Sequence, residues 1–266
     1  MEPRGRAEAN RLTLWHSVFG ESGARRISSL VEETQSRSVL GVFAHPDDEI
    51  LVAAVLTDAV NRGCAVHTVT ATKGTRGVPR HFAGDRAELA RLREAELRRF
   101  GDAIGVLGQE VWDFPDGELY EANAEALLES VSDAIRRTCP DLVVTFDSMA
   151  GFTGHPDHRR IGEVAMQASR QACASMSKPR HVARVVFPER VAALLPNREL
   201  RQLLRRQPRA DVAVEGNRHM TLLGMEIHRT QQQFFPPQWA RSLLCRIFAR
   251  EYFAMVRLAA DGDLPR

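Results

Sequence analysis

The sequence is poor in the features that mark extracellular, membrane-spanning or nucleic-acid-binding proteins. Its four cysteines, Cys64, Cys139, Cys173 and Cys245, are far apart and form no C-x-x-C pair. We therefore expect reduced thiols in a cytoplasmic protein. No run of about 18 apolar residues is present, so no transmembrane helix is expected. The polar first ten residues do not resemble a secretory signal.

The sequence also lacks an excess of positive or negative charge. Lysine and arginine total 36 and aspartate and glutamate total 34, so the formal net charge is only +2. This balance gives no reason to expect a nucleic-acid partner. Of the basic residues, only Lys73 and Lys178 are lysines, which we interpret as coding bias rather than function.

What is present fits a folded domain with alternating strands and helices. The chain has 266 residues, 44% of them hydrophobic, enough to bury a substantial core. Short apolar or β-branched runs predict strands at 38–44, 65–71, 110–114, 141–146, 182–187 and 211–214. Apolar stripes predict helices at 50–59, 87–104, about 124–139, about 158–174, a segment after Asn217, and 239–255. This alternation predicts a Rossmann-like three-layer α/β sandwich with a mainly parallel sheet.

We expect a single domain with two extensions. Residues 1–37 are predicted as an N-terminal helical extension, 38–235 as the main domain, and 236–266 as a C-terminal helix packed on it. A nucleotide-binding Rossmann enzyme is excluded because no G-x-G-x-x-G follows the first strand. The acidic sequence His-Pro-Asp-Asp stands there instead, and its carboxylates would repel a pyrophosphate.

Two histidine–carboxylate clusters follow predicted strands. The first is His45-Pro-Asp-Asp-Glu49 and the second is His155-Pro-Asp-His158. In an open α/β sheet, binding sites form where loops leave the carboxyl ends of strands. A lone H-x-x-D is more often a surface turn or a helix cap than a metal site. Two such clusters in one α/β chain favour a shared functional site.

The spacing within each cluster suits metal binding. Residues three apart on a first helical turn point to a similar side, and each histidine has a second candidate ligand at that spacing. Catalytic zinc usually has three protein ligands and one open position for water. Two clusters can supply three such ligands and leave other imidazole and carboxylate groups for proton transfer. This composition predicts hydrolysis by metal-activated water.

These residues resemble the PIG-L/LmbE family of zinc-dependent N-acetylglucosaminyl deacetylases. Ala44-His-Pro-Asp-Asp-Glu49 is similar to that family's first signature, and Gly154-His-Pro-Asp-His158 is similar to its second. Weaker similarities occur in the family's order along about residues 38–233. They are Thr70-Ala-Thr-Lys-Gly74, Arg93-Glu94 with Glu96-Leu97, Pro115-Asp-Gly117 and His228-Arg-Thr-Gln231.

The resemblance implies a zinc site and its chemistry. His45, Asp48 and His158 match the family's zinc ligands. Asp47 matches its general base, and His155 matches the histidine that stabilises the oxyanion or protonates the leaving amine. The same ligands can also take Fe²⁺ or Co²⁺.

Other residues are expected to support this site. The resemblance implies that Asp157 orients a histidine from outside the metal shell. Glu49 is either a pocket residue or a carboxylate stabilised at a helix N-terminus, and we favour a structural role. Arg93 and His228 match positions near the substrate. Arg76, in a loop with Arg80 and His81 after a predicted strand, is expected either to select the substrate or to be plain surface.

The expected reaction is removal of an N-acetyl or other acyl group from an amino sugar or glycoside. Three departures from the family's pattern concern the substrate: Thr75-Arg76 replaces a frequent Glu-x, Thr221 replaces a frequent lysine, and Thr153 replaces an aromatic residue. One alternative is an amidase acting on a thiol-conjugate glycoside. Another is a non-catalytic sugar- or metal-binding module, which would not need Asp47. A homo-oligomer is possible.

Overall fold

Eight strands form one sheet in the described part of the chain. The computed structural model describes residues 23–79, 82–247 and 249–259. The strands are β1 (Arg25–Ile27), β2 (Ser38–Phe43), β3 (Ala65–Thr72), β4 (Gly108–Phe114), β5 (Leu142–Phe146), β6 (His181–Val185), β7 (Val212–Glu215) and β8 (Arg250–Arg257). Their order across the sheet is β1-β7-β8-β6-β5-β2-β3-β4. Of these strands, β8 alone runs antiparallel to its neighbours.

Helices connect the strands and cover the sheet. They are α1 (Leu30–Glu33), α2 (Ala53–Asn61), α3 (Arg86–Ile104), α4 (Ala124–Thr138), α5 (Gly151–Gly154), α6 (Pro156–Met176), α7 (Glu189–Leu194), α8 (Arg198–Leu204), α9 (Arg218–Ile227) and α10 (Gln238–Ile247). Two 3₁₀ turns, Asp48–Val52 and Arg229–Gln231, precede α2 and follow α9. None of the described helices combines the length and apolar character that a membrane span needs. The predicted α/β sandwich with a mainly parallel sheet is confirmed.

The two central strands hold the site-forming segments. Every residue of β5 and all but the first of β2 are buried, because both faces of the sheet are covered. Strands buried on both faces read as continuous apolar runs, which is why the sequence predicted them. β2 and β5 pair in parallel, with Gly41 opposite Val144. Their carboxyl ends therefore lie side by side.

The two chain ends differ from the prediction. Residues 250–257, predicted as helix, form β8, which lies between β6 and β7. Short apolar runs do not distinguish helix from strand, and here antiparallel pairing on both sides decided the outcome. Residues 25–27, predicted within a helical extension, form the edge strand β1 paired with β7. Residues 1–22 of that extension lie outside the described residues.

A side chain of β8 also caps the N-terminus of α2, the helix that follows the first cluster. No nearby side chain caps the N-terminus of α2. Glu251 of β8 instead accepts hydrogen bonds from the Ala54 amide at 2.6 Å and the Val55 amide at 3.1 Å. A carboxylate satisfies the unpaired amides at a helix start. The late strand therefore fixes the start of α2 across 197 residues of sequence.

Candidate active site

The two histidine clusters meet at the carboxyl edge of the sheet. His45 follows β2, and His155 ends the loop that follows β5. His45 Nδ1 lies 3.2 Å from His158 Nε2. His158 Nε2 lies 3.0 Å from Asp48 Oδ1, and His45 Nδ1 lies 3.8 Å from Asp48 Oδ2. Three potential ligand groups thus converge on one point.

The outward-facing atoms of these residues are held by protein groups. His45 Nε2 lies 3.1 Å from Asp157 Oδ2 and 3.2 Å from Asp116 Oδ1. His158 Nδ1 lies 3.0 Å from the Gly151 carbonyl oxygen. These acceptors need a proton on each outward nitrogen, so in neutral imidazoles the lone pairs point inward.

This donor set fits a divalent cation. Two imidazole lone pairs 3.2 Å apart repel one another unless a proton or a cation lies between them. Ligand atoms bound to one tetrahedral zinc are separated by about 3.3 Å, given bonds of about 2.0 to 2.2 Å. Hydrogen bonds from metal-binding imidazoles to carboxylates or carbonyls are the usual outer support of such sites.

A third imidazole lies close to the same point. His45, His155 and His158 also offer ring nitrogens within 4.8 Å of one another. Asp48 is the better third ligand, because its Oδ1 lies 3.0 Å from His158 Nε2. Its Oδ2 accepts from the Ala44 and His45 amides at 3.0 and 2.8 Å, which fixes the carboxylate orientation.

Packing of α6 against β5 positions His158. The Phe146 ring stacks on the His158 ring, with centroids 4.1 Å apart and planes within 2° of parallel. One turn later, Gly162 faces the end of β5, where a Cβ atom would collide with the Phe146 carbonyl oxygen. Glycine therefore permits the close helix–strand contact that holds His158 at the metal-binding point.

Asp47 has a strained backbone at the centre of the first cluster. Its φ of 119° lies in the left-handed region that favours glycine. Its amide donates to Glu49 Oε2 at 3.0 Å, and Glu49 Oε1 lies 2.7 Å from His228 Nε2. Glu49 and His228 are 1% and 0% exposed. This buried pair holds the Asp47 backbone and gives Glu49 a structural place in the site.

Electrostatic surroundings separate the two adjacent aspartates. Burial and the charge of Asp48 raise the pKa of Asp47 to about 7. For Asp48, burial opposes ionisation, but its interactions with the His158 and His45 side chains and the His45 amide lower its pKa to about 2. Asp48 is thus an anionic carboxylate suited to a cation, whereas Asp47 can exchange a proton near neutral pH.

His155 is held in the tautomer that donates from Nε2. Its Nδ1 accepts the Asp157 amide proton at 3.2 Å and caps α6. Burial, followed by the neighbouring imidazole groups of His45 and His158, lowers its pKa to about 4. A neutral imidazole whose Nδ1 accepts must carry its proton on Nε2. His155 therefore offers one N–H donor beside the metal-binding point.

A cavity of about 610 Å³ opens over these groups. Asp47, His155 and the predicted ligands line it, together with Arg76, Arg93, Asp116, Gln231, Phe234 and Phe235. The Arg93 guanidinium is buried and bonds the carbonyl oxygens of Gly74 and Gly77. The Arg76 side chain is 60% exposed and pairs with Glu118 at 3.0 Å. One wall of the cavity is therefore polar and charged.

Comparison with known proteins finds a family match that includes both clusters. The family model for PIG-L, described as GlcNAc-PI de-N-acetylase, matches residues 40–169, which include both clusters. Over this segment the chain is similar to the PIG-L family. A 1D-myo-inositol 2-acetamido-2-deoxy-alpha-D-glucopyranoside deacetylase of Kineococcus radiotolerans is 29% identical over 234 residues. That match covers 75% of this chain and 63% of the relative, so the chain spans less than two thirds of the relative's length.

Solved structures share this fold. The N,N'-diacetylchitobiose deacetylase of Pyrococcus horikoshii is 18% identical with a TM-score of 0.66, covering 97% of this chain and 94% of its own. GalB, a 4-carboxy-2-hydroxymuconate hydratase of Pseudomonas putida KT2440, is 19% identical with a TM-score of 0.62, covering 86% and 100%. At this identity the likeness concerns the fold alone, and the fold hosts more than one reaction.

The structure brings most of the sequence-predicted PIG-L residues together. His45, Asp47, Asp48, His155 and His158 line the cavity, and Asp157 and Glu49 lie behind them. Arg76 and Arg93 line its polar wall. His228 is fully buried beneath Glu49, so its contact with a substrate stays a prediction that burial does not favour. Arg80 and His81 lie outside the described residues.

Sequence reasoning did not assign a role to Asp116. Its Oδ1 approaches His45 Nε2, and its Oδ2 accepts the Arg76 amide proton at 2.5 Å. His45 thus shares its outward N–H between Asp116 and Asp157. The turn Pro115-Asp-Gly117 was the available signal, but only the pairing of β4 with β3 brings it beside the first cluster.

Proposed function

We propose that this protein is a zinc-dependent hydrolase that removes an N-acyl group, acetyl in the simplest case, from an amino sugar or glycoside. The convergence of His45 Nδ1, His158 Nε2 and the Asp48 carboxylate, each oriented by outward hydrogen bonds, carries the proposal. The match of residues 40–169 to the PIG-L family model supports the same conclusion.

His45, Asp48 and His158 hold the metal in this proposal. When bound there, Zn²⁺ or a similar divalent ion supplies Lewis acidity and an acidified water at neutral pH. Asp157 and Asp116 keep the His45 proton on Nε2, and the Gly151 carbonyl keeps the His158 proton on Nδ1. The lone pairs of both rings therefore remain available to the cation.

Asp47 and His155 divide the proton transfers. The Asp47 carboxylate accepts a proton from the attacking water, a role suited to a base with a pKa of about 7. The His155 Nε2–H donates to the amide oxygen as negative charge develops on it. Protonated Asp47 then returns its proton to the leaving nitrogen. The pKa of His155, about 4, favours hydrogen-bond donation over acid catalysis.

The polar wall of the cavity recognises the sugar. Arg93 and Asp116 are buried or nearly so and are held in place by backbone bonds. Fixed charged groups suit hydroxyl recognition, because little side-chain entropy is lost on binding. Arg76 lies at the outer edge of the same wall, where it reaches the part of the glycoside beyond the amino sugar.

Acetate release from N-acetylglucosamine and its glycosides, measured after reconstitution with Zn²⁺, tests this function. We expect Asp47→Asn to lower kcat by about 10² to 10⁴, and His155→Gln by about 10² to 10³. His158→Ala should lose the metal itself, measured by elemental analysis. His219→Ala, an exposed residue outside the cavity, is the matched control.

Two outcomes would redirect the proposal. Full activity of Asp47→Asn would remove the assigned base. Tight metal and sugar binding without hydrolysis of any amide would instead favour the sugar- or metal-binding module. Retention of Asp47 in a strained conformation argues against that alternative, because binding alone does not require the carboxylate.

A further inference from the structure

A second cavity adjoins the catalytic one. It has a volume of about 200 Å³ and shares three wall residues with the catalytic cavity: Ile50, Leu51 and Met225. Its own walls include Phe152, Val185, Val186, Pro188 and Tyr252. The shared residues are a partition of apolar side chains only. Met225 is partly buried and unbranched, so it can change shape without strain.

Three polar residues of this second cavity, Glu251, Arg250 and Thr221, already have partners within the protein. Both carboxylate oxygens of Glu251 accept amide protons at the start of α2. Arg250 pairs with Glu215. The Thr221 hydroxyl donates to the Asn217 carbonyl oxygen at 3.1 Å. Arg218, Cys245 and Tyr252 also line the cavity, but most of its lining residues are apolar, which favours an apolar occupant over a charged or hydroxylated one.

The polar wall of the catalytic cavity and the second, apolar cavity lie on opposite sides of the proposed metal ligands. The polar wall comes from the segments after β3 and β4, at Arg76 and Asp116. The apolar cavity lies at the ends of β6 and β8, at Val185 and Tyr252. In the sheet, β2 and β5 separate these two pairs of strands. His45 and His158 follow β2 and β5, between the polar and apolar regions.

The amide bond that the proposed reaction cleaves also separates a polar part of the substrate from an apolar part. An N-acylated amino sugar places hydroxyl groups on the nitrogen side of the amide and the hydrocarbon chain on the carbonyl side. If the sugar hydroxyls meet Arg93 and Asp116, the acyl chain points away from them, towards Ile50, Leu51 and Met225. We infer that the second cavity is an acyl-chain subsite and that the substrates include amino sugars with chains longer than acetyl.

The volume of the second cavity limits the length of the acyl chain that it can hold. An apolar cavity of about 150 Å³ holds a benzene ring, so about 200 Å³ accommodates a chain of about six carbons. This inference rests on the proposed deacylase function and specifies its substrate class. It predicts that hexanoyl amides are better substrates than acetyl amides, and that chains too long for the cavity lose the advantage.

The test compares N-acetyl-, N-butyryl-, N-hexanoyl- and N-decanoylglucosamine with the zinc-loaded protein. Burial of each methylene should raise kcat/KM by about threefold to fourfold, until the cavity is full. Hexanoyl has four methylenes more than acetyl, so the hexanoyl-to-acetyl ratio of kcat/KM should reach about 80 to 250 if all four enter the cavity. A ratio of one or below in the unaltered protein would overturn the inference.

Variants of Thr221 test the location. This residue lines the second cavity but not the catalytic one. Thr221→Phe should bring the hexanoyl-to-acetyl ratio close to one, and Thr221→Ala should move the preferred chain length upward. His219→Phe introduces the same ring on the exposed side of α9 and should keep the ratio. An unchanged ratio in Thr221→Phe would place the chain elsewhere and overturn the inference.

Calorimetry with Asp47→Asn protein separates the inference from the function on which it rests. Tighter binding of N-hexanoyl- than N-acetylglucosamine, abolished by Thr221→Phe, would support the subsite even if no amide were hydrolysed. This binding pattern together with no hydrolysis by the unaltered protein would reject only the hydrolase function and would leave the subsite supported. Acetate release without any chain-length effect on binding or kcat/KM would reject the subsite and retain the hydrolase.

Discussion

Asp47 illustrates at the residue scale how this site combines reactivity with strain. Its backbone has a φ of 119°, and its carboxyl group lies next to the anionic Asp48. A non-glycine residue in such a conformation costs about 1 to 3 kcal/mol, which the surrounding bonds must offset. Here Glu49 holds the Asp47 amide, and His228 holds Glu49.

Asp47→Gly should therefore stabilise the protein relative to Asp47→Asn. Release of about 1 to 3 kcal/mol of strain exceeds the extra chain entropy of glycine, about 0.5 to 1 kcal/mol. We expect a difference of about 1 kcal/mol in the free energy of unfolding, measured by urea denaturation of the metal-free proteins. Both variants lack the base and serve as mutual controls. Equal stabilities would mean that the backbone is unstrained.

The buried pair of Glu49 and His228 gives a second residue-scale prediction. Removing one partner leaves the other buried without compensation, which costs about 3 to 5 kcal/mol. We expect Glu49→Gln and His228→Gln each to be strongly destabilised, and the double variant to lose less than the sum. A double-mutant cycle measures this coupling. Additive losses would show that the two side chains act independently.

At the scale of elements, contact between α6 and β5 determines where His158 lies. Gly162 faces the Phe146 carbonyl oxygen with no room for a Cβ atom. The same Phe146 stacks on His158. A shift of α6 away from β5 would therefore move one of the proposed metal ligands relative to His45 and Asp48.

Gly162→Ala should weaken metal binding without changing any ligand. The added methyl group must push α6 outward, and loss of supporting geometry typically costs 10- to 100-fold in metal affinity. Competition with a chromogenic chelator measures the Zn²⁺ dissociation constant. Gln167→Ala, at an exposed position of the same helix, is the control and should bind as the unaltered protein does. Equal affinities in the two variants would contradict this role for the contact.

At the scale of the whole molecule, Glu251 links the last strand to the first cluster. Burial raises its pKa to about 8, although the Ala54 and Val55 amides favour the charged form. The folded protein therefore binds a proton on Glu251 between about pH 4.5, the ordinary pKa, and pH 8 that the unfolded chain has released. Stability from this group is present at low pH and is lost as pH rises through 8.

The free energy of unfolding should fall across this pH range, by an amount on the order of 3 to 5 kcal/mol from this group. Glu251→Gln mimics the protonated side chain and should remove that part of the slope. Urea denaturation between pH 5 and 9 measures it, with Glu199→Gln at an exposed position as control. Parallel curves for Glu251→Gln and the unaltered protein would contradict the assignment.

Local sequence patterns were enough to predict the central part of the fold and the composition of the site. β2 and β5 are buried on both faces, so their apolar runs were visible, and the polar clusters had to begin where those runs ended. The parallel arrangement then predicted that His45 and His158 would meet, as their 3.2 Å separation confirms. The catalytic and metal-binding roles of these residues stay predictions.

Features that depend on contacts distant in sequence became visible only in the folded chain. β8 is a strand because β6 and β7 offer unpaired edges on either side of it, whereas its own sequence is equally consistent with a helix. Asp116 reaches His45 because β4 pairs beside β3. Local patterns encode periodicity and burial, but pairing partners, proton positions and cavities arise from contacts between segments that no local pattern specifies.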